Sequence, residues 1–519
     1  MNDSINVFGS ILESIHKDQK IIIVEDLNQY SEFPASLLID LAFKFTHFIN
    51  KRNITQSDKI VLIPNNSISS ISIFLGASKI GVITCFVPIK LSVSEITSIV
   101  RSTKCKLVMC SNSYRYRREL YTAISQMCEL IEYDDVDIPD TYIDNTNSQN
   151  SSNIIELIDS KAPISILFTS GSTGAPSGVV LSQESYVLNA EQIGKFIGVK
   201  KHDKYLQILP FYYIAGQITS VLAPLLFGAD LIISNNMDPS TMLFCINTLR
   251  PTITNLVPTL LYRIHNFIRN NEMNFDSDSH ELRLCLTGGA DCSQSIMDKF
   301  LKLYNIPVVQ GYGSTEAGCG ICINQIKAPR AGSVGIPLEG HEVKILKDVA
   351  GNNACDAEEI GELLIRNNVS MVEYYENADR TKNAFSDGWY CTGDLGFKDK
   401  DGYIYIYGRK SDLIKRGGEK IYLSEIENML LKSIYVKDCK VLSISDSELG
   451  ELPVACVVIR NEAHRSDLIN WINNNFSKYK IPQVFFIDEI PNTPSGKVAI
   501  YELKDSIERE LDRKKNIST

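Results

Sequence analysis

The sequence predicts an α/β fold in which helices cover parallel sheets. The run KIVLIP (59–64) has the continuous apolar character of a buried strand, and residues 67–81 have the pattern of a helix that follows it. Ser92 and Glu95 can form a capping box before the next helix, which leads to the strand-like run KLVMC ending at Cys110. Strands that alternate with helices in this way predict parallel pairing.

The same alternation returns further along the chain, in the runs LQILPF, ADLIIS, ITNLV, LRLCLTGG and PVVQGYG. Parallel sheets of this kind bind their ligands beyond the carboxyl ends of the strands. Two of these runs end directly in glycines.

The last third of the chain has a different pattern of predicted strands. From Gly361 onward the strand patterns are shorter and alternate, and YIYIYGRKSD (403–412) is the clearest of them. The final hundred or so residues predict a small unit with a helix at 424–432 and strands at 440–444 and 454–459. A domain boundary is therefore expected close to residue 410.

The composition is that of a globular protein. Apolar residues make up 44% of the 519 residues and charged residues 22%, which excludes disorder for the chain as a whole. The formal net charge of −10 argues against a nucleic-acid backbone or an anionic membrane as the main partner. Thirteen dispersed cysteines, an odd number, are typical of reduced thiols in a cytoplasmic protein.

The sequence also lacks the patterns of secretion and of a membrane span. Asp3 stands where a signal peptide has positive charge. Residues 206–229 carry no charge, but two prolines, two glycines and two glutamines interrupt the run. We therefore expect no transmembrane helix there.

The most informative segment is FTSGSTGAPSGVVLS (168–182), which directly follows the apolar run ISILF. Its glycines and hydroxyl side chains offer a flexible arc of hydrogen-bond donors that suits phosphate oxygens. The sequence contains neither GxxxxGK[ST] nor GxGxxG, so a P-loop or a dinucleotide-binding fold is not favoured. Taken alone, such a string is more often a Ser/Gly linker.

Other motifs change that interpretation: LTGGA (286–290), QGYGSTE (310–316), YCTGDLG (390–396), YGRKSDLIKRGGEKIYLSEIE (407–427) and YKIPQVFFIDEIPNTPSGK (479–497). Together with the 168–182 segment they closely resemble the adenylate-forming superfamily in order and spacing. That superfamily comprises acyl-CoA synthetases, peptide-synthetase adenylation domains and beetle luciferases. Within the superfamily, the sequence is most similar in character to the acyl-CoA synthetases.

The resemblance implies a specific architecture. Residues 1–410 would form a large N-terminal adenylation domain of parallel-rich sheets flanked by helices, with a smaller β subdomain. Residues 411–519 would form a small, mobile α+β domain that carries a catalytic lysine. The implied reaction is ATP-driven activation of a carboxylic acid to an acyl-adenylate with release of pyrophosphate, followed by transfer to a thiol.

The resemblance also implies catalytic residues. Lys497 matches the family lysine that bridges the acid and the phosphate, and a mobile cation suits that chemistry. Thr315 would hydrogen-bond the α-phosphate, and Glu316 would bind Mg²⁺, which prefers carboxylate and phosphate oxygens. Asp394 would accept hydrogen bonds from the ribose hydroxyls, and Arg409 would contact the ribose or a phosphate.

Adenine would lie against Tyr312 and the backbone of the LTGGA segment. The full set of expected ATP- or AMP-binding residues is Thr169, Ser170, Gly171, Ser172, Thr173, Gly174, Gly288, Gly289, Ala290, Gln310, Gly311, Tyr312, Gly313, Asp394 and Arg409.

The acid is expected to bind close to Tyr212, Tyr213, Gly216 and Gln217. Amino-acid-activating relatives carry an aspartate shortly after this motif, whereas residues 205–229 contain no acidic side chain. A buried ammonium without a counter-ion is costly, which favours an acyl, aryl or short carboxylic acid with an uncharged tail. Gln217 either contacts a polar group of the acid or makes a structural hydrogen bond to the backbone.

The thiol-transfer step would use the second domain. Ser411 matches the hinge, while Lys415 and Gly418 match positions that serve the transfer, where glycine leaves room for a pantetheine chain. The RGGEKI string favours free coenzyme A as the acceptor. The alternative is a stand-alone enzyme that loads the phosphopantetheine of an acyl carrier protein.

The chain departs from the family pattern at auxiliary positions. Ser177 stands where a lysine is usual, Tyr213 and Gln183 where histidines are common, and Ser411 where the hinge is usually Asp or Lys. A missing cation beside the β- and γ-phosphates predicts slower adenylation. A nucleotide-binding pseudoenzyme is therefore a second alternative, although the principal catalytic residues are all present.

Overall fold

The computed structural model describes residues 6–136, 158–169, 177–273, 275, 277–290, 292–349, 353–417, 419–446, 449–491 and 498–517. The chain forms two compact units. The first comprises Met1–Val343 with Ile365–Tyr390, and the second comprises Lys344–Leu364 with Cys391–Thr519. The predicted domain boundary at residue 410 concerns where the mobile part begins, and it stays a prediction.

The strands in chain order are β1 (Lys20–Asp26), β2 (Gln29–Pro34), β3 (Lys59–Ile63), β4 (Ile83–Phe86), β5 (Leu107–Ser111), β6 (Glu129–Tyr133), β7 (Pro163–Thr169), β8 (Ser177–Ser182) and β9 (Lys204–Gln207). They continue with β10 (Asp230–Ser234), β11 (Ile253–Asn255), β12 (Leu284–Thr287), β13 (Val308–Ser314), β14 (Gly318–Ile323), β15 (Ile336–Pro337), β16 (Glu342–Asp348), β17 (Asn353–Ala354) and β18 (Gly361–Arg366). The last are β19 (Glu373–Tyr374), β20 (Phe385–Ser386), β21 (Trp389–Lys398), β22 (Ile404–Arg409), β23 (Leu413–Arg416), β24 (Glu419–Tyr422), β25 (Val436–Asp446), β26 (Gly450–Ile459) and β27 (Gln483–Phe486).

The first helices are α1 (Val7–Ser14), α2 (Ser36–Asn50), α3 (Ile68–Lys79), α4 (Val93–Thr103), α5 (Arg117–Ile124), α6 (Gln183–Ile197), α7 (Ile214–Gln217) and α8 (Ala223–Leu226). A π-helical turn, Ile218–Leu222, joins α7 to α8. The others are α9 (Pro239–Phe244), α10 (Pro258–Asn270), α11 (Gln294–Tyr304), α12 (Ala378–Ala384), α13 (Leu423–Leu431), α14 (Arg465–Asn475) and α15 (Ile500–Ile517).

The first unit contains two large sheets. The nine-stranded sheet has the order β15-β14-β13-β12-β11-β9-β10-β1-β2, and its strands from β13 to β1 are parallel. The seven-stranded sheet has the order β19-β8-β7-β4-β3-β5-β6. Its strands from β7 to β6 are parallel, while β8 and β19 add antiparallel pairs at one edge.

Helices cover these sheets through apolar side chains. In the nine-stranded sheet Leu206 and Val308 share a buried cluster with Leu261 of α10 and Ile296 of α11. In the seven-stranded sheet the strands pack in the same way against α4 and α5. Burial of this kind on a parallel sheet accounts for the continuous apolar runs of its strands.

The second unit is smaller. Strands β17, β16, β18 and β21 are neighbours in that order, and β22 pairs with β21. The end of the chain forms another sheet, with the order β24-β23-β26-β25 and with β27 beside β26. Successive residues of β26 point to opposite faces, so that Val457 packs against α13 and α14 while Cys456 packs against α15.

The predicted α/β class is confirmed, including parallel sheets in a large first unit and a smaller second one. The capping box of Ser92 and Glu95 is present at the start of α4. In the described part of the chain, no helix is both long and apolar enough to cross a membrane.

Candidate active site

The two glycine-rich strand ends that the sequence singles out are neighbours in space. Strands β12 and β13 are parallel, with Thr287 opposite Gln310. A Cβ atom on Gly288 would lie 3.0 Å from the carbonyl oxygen of Gly311, a tight contact that glycine relieves. The predicted adenine-binding backbone of LTGGA and the QGYGSTE segment therefore lie side by side at the carboxyl edge of the nine-stranded sheet, where α/β sheets bind ligands.

Thr315 and Glu316 lie in the tight turn between β13 and β14. A Cβ atom on Gly313 would come within 1.7 Å of the carbonyl oxygen of Cys319, so the hairpin closes only because this residue is glycine. The hydroxyl of Ser314 accepts a hydrogen bond from the backbone N–H of Ala317 at 3.1 Å. The turn is thus fixed by contacts within the hairpin and holds both predicted catalytic side chains half-buried.

The Glu316 carboxylate is held by a tyrosine that sequence reasoning missed. The hydroxyl of Tyr374, in β19, donates to Oε1 of Glu316 at 3.2 Å. Burial and the Glu316 charge together raise the pKa of Tyr374, and the same two causes raise the pKa of the nearby Tyr390. Both phenols therefore stay protonated at neutral pH, so Tyr374 remains a donor to the carboxylate.

The phosphate-loop segment connects β7 to β8. These strands are antiparallel, with Thr169 opposite Ser177. Ser170, Gly171, Ser172, Thr173 and Gly174 lie outside the described residues. At the start of β8, Nη1 of Arg380 in α12 donates a hydrogen bond to the Ser177 hydroxyl. A cation therefore lies beside the position where the family usually has lysine.

The predicted acid-pocket residues lie on and before α7. Tyr212 is buried, Tyr213 is half-buried, and their rings meet edge to face with centroids 4.5 Å apart. A Cβ atom on Gly216 would lie 2.3 Å from the carbonyl oxygen of Pro210, so this glycine has a packing role.

Gln217 is fully buried, and both ends of its amide have protein partners. Its Oε1 accepts from the Tyr186 hydroxyl at 2.5 Å, and its Nε2 donates to the carbonyl of Phe211 at 2.7 Å. These contacts favour the structural alternative for Gln217 over a contact with the acid.

The predicted ribose-binding pair lies in the second unit. Asp394 in β21 is opposite Arg409 in β22, and the Nε of Arg409 lies 2.7 Å from Oδ1 of Asp394. The carboxylate is 8% exposed and the guanidinium side chain 58% exposed. The pair presents a fixed acceptor beside a solvent-accessible cation.

The thiol-transfer residues are also in the second unit. Ser411 lies in the short helical turn Lys410–Asp412 between β22 and β23, and its hydroxyl donates to Asp412 at 3.3 Å. Lys415 lies on β23 and has an exposed side chain. Gly418 and Lys497 lie outside the described residues, so their roles stay predictions.

Sequence reasoning missed Tyr374, Tyr390 and Arg380. Tyr374 lies 58 residues from Glu316, and Arg380 lies 203 residues from Ser177. No local pattern links such distant positions. The short aromatic run that contains Tyr374, directly after Glu373, is the one sequence feature that could have drawn attention to this segment.

Two family models match the chain and establish which family it belongs to. The model of the AMP-binding enzyme family matches residues 29–375, and that of the AMP-binding enzyme C-terminal domain matches residues 425–497. The chain belongs to the AMP-binding enzyme family. The predicted resemblance to the adenylate-forming superfamily is thereby confirmed.

Relatives of this AMP-binding enzyme include two curated CoA ligases. The 2-succinylbenzoate–CoA ligase of Bacillus licheniformis is 31% identical over 352 residues, which cover 67% of this chain and 71% of that protein. The long-chain-fatty-acid–CoA ligase FadD13 of Mycobacterium tuberculosis is 29% identical over 472 residues, covering 88% of this chain and 90% of that protein. The predicted enzyme class, an acid–thiol ligase of the acyl-CoA synthetase type, is confirmed by these relatives.

Solved structures share the fold of this AMP-binding enzyme. ATP-bound MatB from Rhodopseudomonas palustris aligns with a TM-score of 0.85 at 21% identity, covering 97% of this chain and 99% of that one. The O-succinylbenzoate coenzyme A synthetase of Bacillus subtilis, in complex with AMP, aligns with a TM-score of 0.79 at 23% identity, covering 95% and 96%. At these identities the likeness concerns the fold.

Proposed function

We propose that this protein activates a carboxylic acid with ATP to form an acyl-adenylate and then transfers the acyl group to coenzyme A. The observation that supports this most is the position of the Thr315–Glu316 turn. It lies at the end of β13, next to the Gly288 end of β12, at the edge of the sheet where a nucleotide is expected. Family membership supplies the reaction class.

In the first step, a carboxylate oxygen bonds to the α-phosphorus of ATP, the bond to the β-phosphate oxygen breaks, and pyrophosphate leaves with that electron pair. Both reactants are anions, so the site has to neutralise charge and align them. Thr315 would donate its hydroxyl to the α-phosphate. Lys497 would bridge the acid and the phosphate.

Glu316 suits a magnesium ion. Its Oε1 accepts a hydrogen bond from Tyr374, which fixes the orientation of the carboxylate. Among the described residues, no basic side chain forms an ion pair with it. An oriented carboxylate on a rigid turn is a ligand of the kind that Mg²⁺ prefers. When bound, the ion would shield the phosphate charge.

In the second step, the sulfur of coenzyme A bonds to the acyl carbon, the bond to AMP breaks, and the thiol proton is lost. Lys415 and Gly418 would serve this step. The named CoA ligases among the relatives support coenzyme A as the acceptor. A carrier protein stays the alternative, and it draws no support from them.

The substrate class we propose is an acyl or aryl acid without an α-ammonium group. Residues 205–229 provide no carboxylate to pair with such a group. The relatives are named for 2-succinylbenzoate and for long-chain fatty acids, neither of which is an amino acid. The dispersed cysteines support a cytoplasmic location.

The decisive assay is pyrophosphate release across a panel of aliphatic, aryl, dicarboxylic and amino acids, with and without coenzyme A. Acid-dependent release of pyrophosphate and AMP supports the proposal, and formation of a thioester only with coenzyme A identifies the acceptor. ADP as the product would refute the proposal. ATP binding without any release would establish the pseudoenzyme alternative.

Lys497→Ala is expected to slow acid-dependent pyrophosphate release at least about 100-fold, because such contacts to transition-state charge contribute factors of about 10² to 10³. ATP binding, measured by calorimetry, should change little. Lys504→Ala, which removes an exposed lysine from α15, is the matched control. Release at the wild-type rate in the Lys497 variant would discredit the assignment.

A further inference from the structure

An ATP-binding site at the start of β8 would need a positive charge that the Ser177 side chain cannot supply. If the chain binds ATP as the sequence resemblance implies, the β- and γ-phosphates bring several negative charges close to the start of β8. A serine offers a hydroxyl but no charge. Charge-assisted hydrogen bonds to phosphate are about twice as strong as neutral ones, so a cation is expected close by.

Arg380 provides a cation beside Ser177, at the start of β8. It belongs to α12, whose N-cap Asn377 accepts a hydrogen bond from the Arg380 backbone N–H at 3.0 Å. The guanidinium stacks on the ring of Tyr374, with 4.0 Å between the guanidinium carbon and the ring centroid, and its Nη1 donates to the Ser177 hydroxyl. Two partners on different strands thus fix the orientation of this side chain.

The helix that carries Arg380 is itself anchored to the strand that carries Tyr374. The hydroxyl of Thr381 accepts a hydrogen bond from the backbone N–H of Tyr374 at 2.9 Å and donates to the carbonyl of Asn377 at 2.9 Å. The guanidinium is therefore held in register with β19 and, through β19, with β8.

Arg380 is also linked to the proposed magnesium ligand, Glu316, through one shared neighbour, Tyr374. Tyr374 stacks under the guanidinium and donates its hydroxyl to Glu316 at 3.2 Å. Contacts therefore run from Ser177 through Arg380 and Tyr374 to Glu316, all within the first unit. This row joins the phosphate-loop edge to the carboxylate that would bind the metal.

Among the residues that the structure describes, the charge of Arg380 is not used by a neighbouring acid. Within the described ranges no carboxylate forms an ion pair with its guanidinium, and the side chain is half-buried. A guanidinium carries five N–H donors, of which the Ser177 contact uses one. An arginine whose contacts in the described part of the chain are a ring stack and one hydroxyl keeps donors and charge for an anion.

We infer that Arg380 contacts the β- and γ-phosphates of ATP and supplies the positive charge that Ser177 lacks. This inference rests on the proposed function, because it concerns the same nucleotide. It also removes the reason for the pseudoenzyme alternative, since the missing lysine charge is replaced from α12. The competing explanation is that Arg380 only ties α12 to the β7–β8 hairpin.

The two explanations differ in which nucleotide is affected. AMP has no β- or γ-phosphate, so loss of a phosphate contact should weaken ATP and leave AMP unchanged. We expect Arg380→Gln to raise the KM for ATP, in the pyrophosphate-release assay, about tenfold or more, since charged hydrogen bonds are worth that much. The dissociation constant of AMP, measured by calorimetry, should stay within about twofold.

Three further variants complete the test. Arg380→Lys keeps a cation and should retain most of the ATP affinity. Lys382→Gln removes an exposed charge from the same helix and should have no effect. Adding Ser177→Lys to Arg380→Gln should restore the KM for ATP, whereas in the wild type the new lysine would meet the guanidinium and gain little.

A parallel loss of ATP and AMP affinity in Arg380→Gln, or an unchanged KM for ATP, would overturn the inference. If that variant does not fold, Arg380→Lys and the double variant decide: loss of ATP affinity in Arg380→Lys, or no recovery in the folded double variant, contradicts it. Failure of the proposed function looks different, because the wild-type protein would then release no pyrophosphate with any acid.

Discussion

Gln217 shows what burial does to a polar side chain in the predicted acid pocket. Its amide bridges the Tyr186 hydroxyl and the Phe211 carbonyl, and the Tyr186 oxygen in turn shares a hydrogen bond with the Ser165 hydroxyl at 2.9 Å. A buried network of this kind fixes the backbone before α7 because each member is costly to leave unpaired. Both ends of the Gln217 amide are therefore used within the protein.

We expect Gln217→Leu to lower the free energy of unfolding by about 1 to 3 kcal/mol, because it leaves the Phe211 carbonyl without its donor. The measurement is denaturant unfolding, with Gln56→Leu, an exposed position, as the control. We expect the KM for the acid to stay close to that of the wild type. A large rise in that KM with normal stability would instead mean that Gln217 contacts the acid.

At the scale of secondary-structure elements, the Asp203 carboxylate bonds to residues that precede two other strands of the nine-stranded sheet. Asp203, just before β9, accepts from Nε and Nη2 of Arg283 at 2.9 and 2.7 Å and from the Thr252 hydroxyl at 2.7 Å. Arg283 precedes β12, and Thr252 precedes β11. The amino edge of the nine-stranded sheet is thereby fixed opposite to the edge where the nucleotide is expected.

Asp203→Asn should cost about 1 to 3 kcal/mol of stability at pH 7, because it leaves the partly exposed Arg283 charge without its partner. Burial would raise the pKa of Asp203, but the hydrogen bonds from Arg283 and Thr252 outweigh it and hold that pKa below its usual value.

The difference between variant and wild type should therefore be complete above the ordinary aspartate pKa of about 3.9 and shrink as the pH falls below it. Urea unfolding at several pH values measures this, with the exposed Asp40→Asn as the control. A difference that is the same at pH 3 and pH 7 would contradict the explanation.

Individual elements were predictable where their signals are local. The capping box of α4 and the strand KIVLIP need only a few adjacent residues, and both are found where expected. The order of strands was not predictable, since β1 pairs with β10, more than 200 residues away in sequence. The motifs predicted a site at the carboxyl edge of the nine-stranded sheet, whereas the contacts of Tyr374 with Glu316 and of Arg380 with Ser177 join residues that are far apart in sequence.

For the whole molecule, the expected residues divide between the two units. Thr315 and Glu316 are in the first unit, and Asp394, Arg409 and Lys415 are in the second. The sequence resemblance assigns adenylation and thiol transfer to different positions of a mobile domain. The two half-reactions should therefore be separable by mutation.

Gly418→Leu is expected to leave acid-dependent pyrophosphate release within about threefold of wild type and to abolish thioester formation, because the side chain would block the path of pantetheine. Single-turnover assays that start from ATP and from a preformed acyl-adenylate measure the two steps. Glu419→Leu, an exposed neighbour, is the control. Equal loss of both half-reactions would contradict the assignment.

The segment that carries Tyr374 also joins the two large sheets of the first unit. The backbone N–H of Met371 donates to the carbonyl of Glu316 at 2.7 Å, and that of Tyr375 donates to the carbonyl of Gly178 at 2.8 Å. The five residues from Met371 to Tyr375 thus connect the two sheets over a fixed length of chain. Substitutions that keep Tyr374 and the length of this stretch would preserve both backbone contacts, whereas the insertion or deletion of one residue would shift Glu316 relative to Gly178.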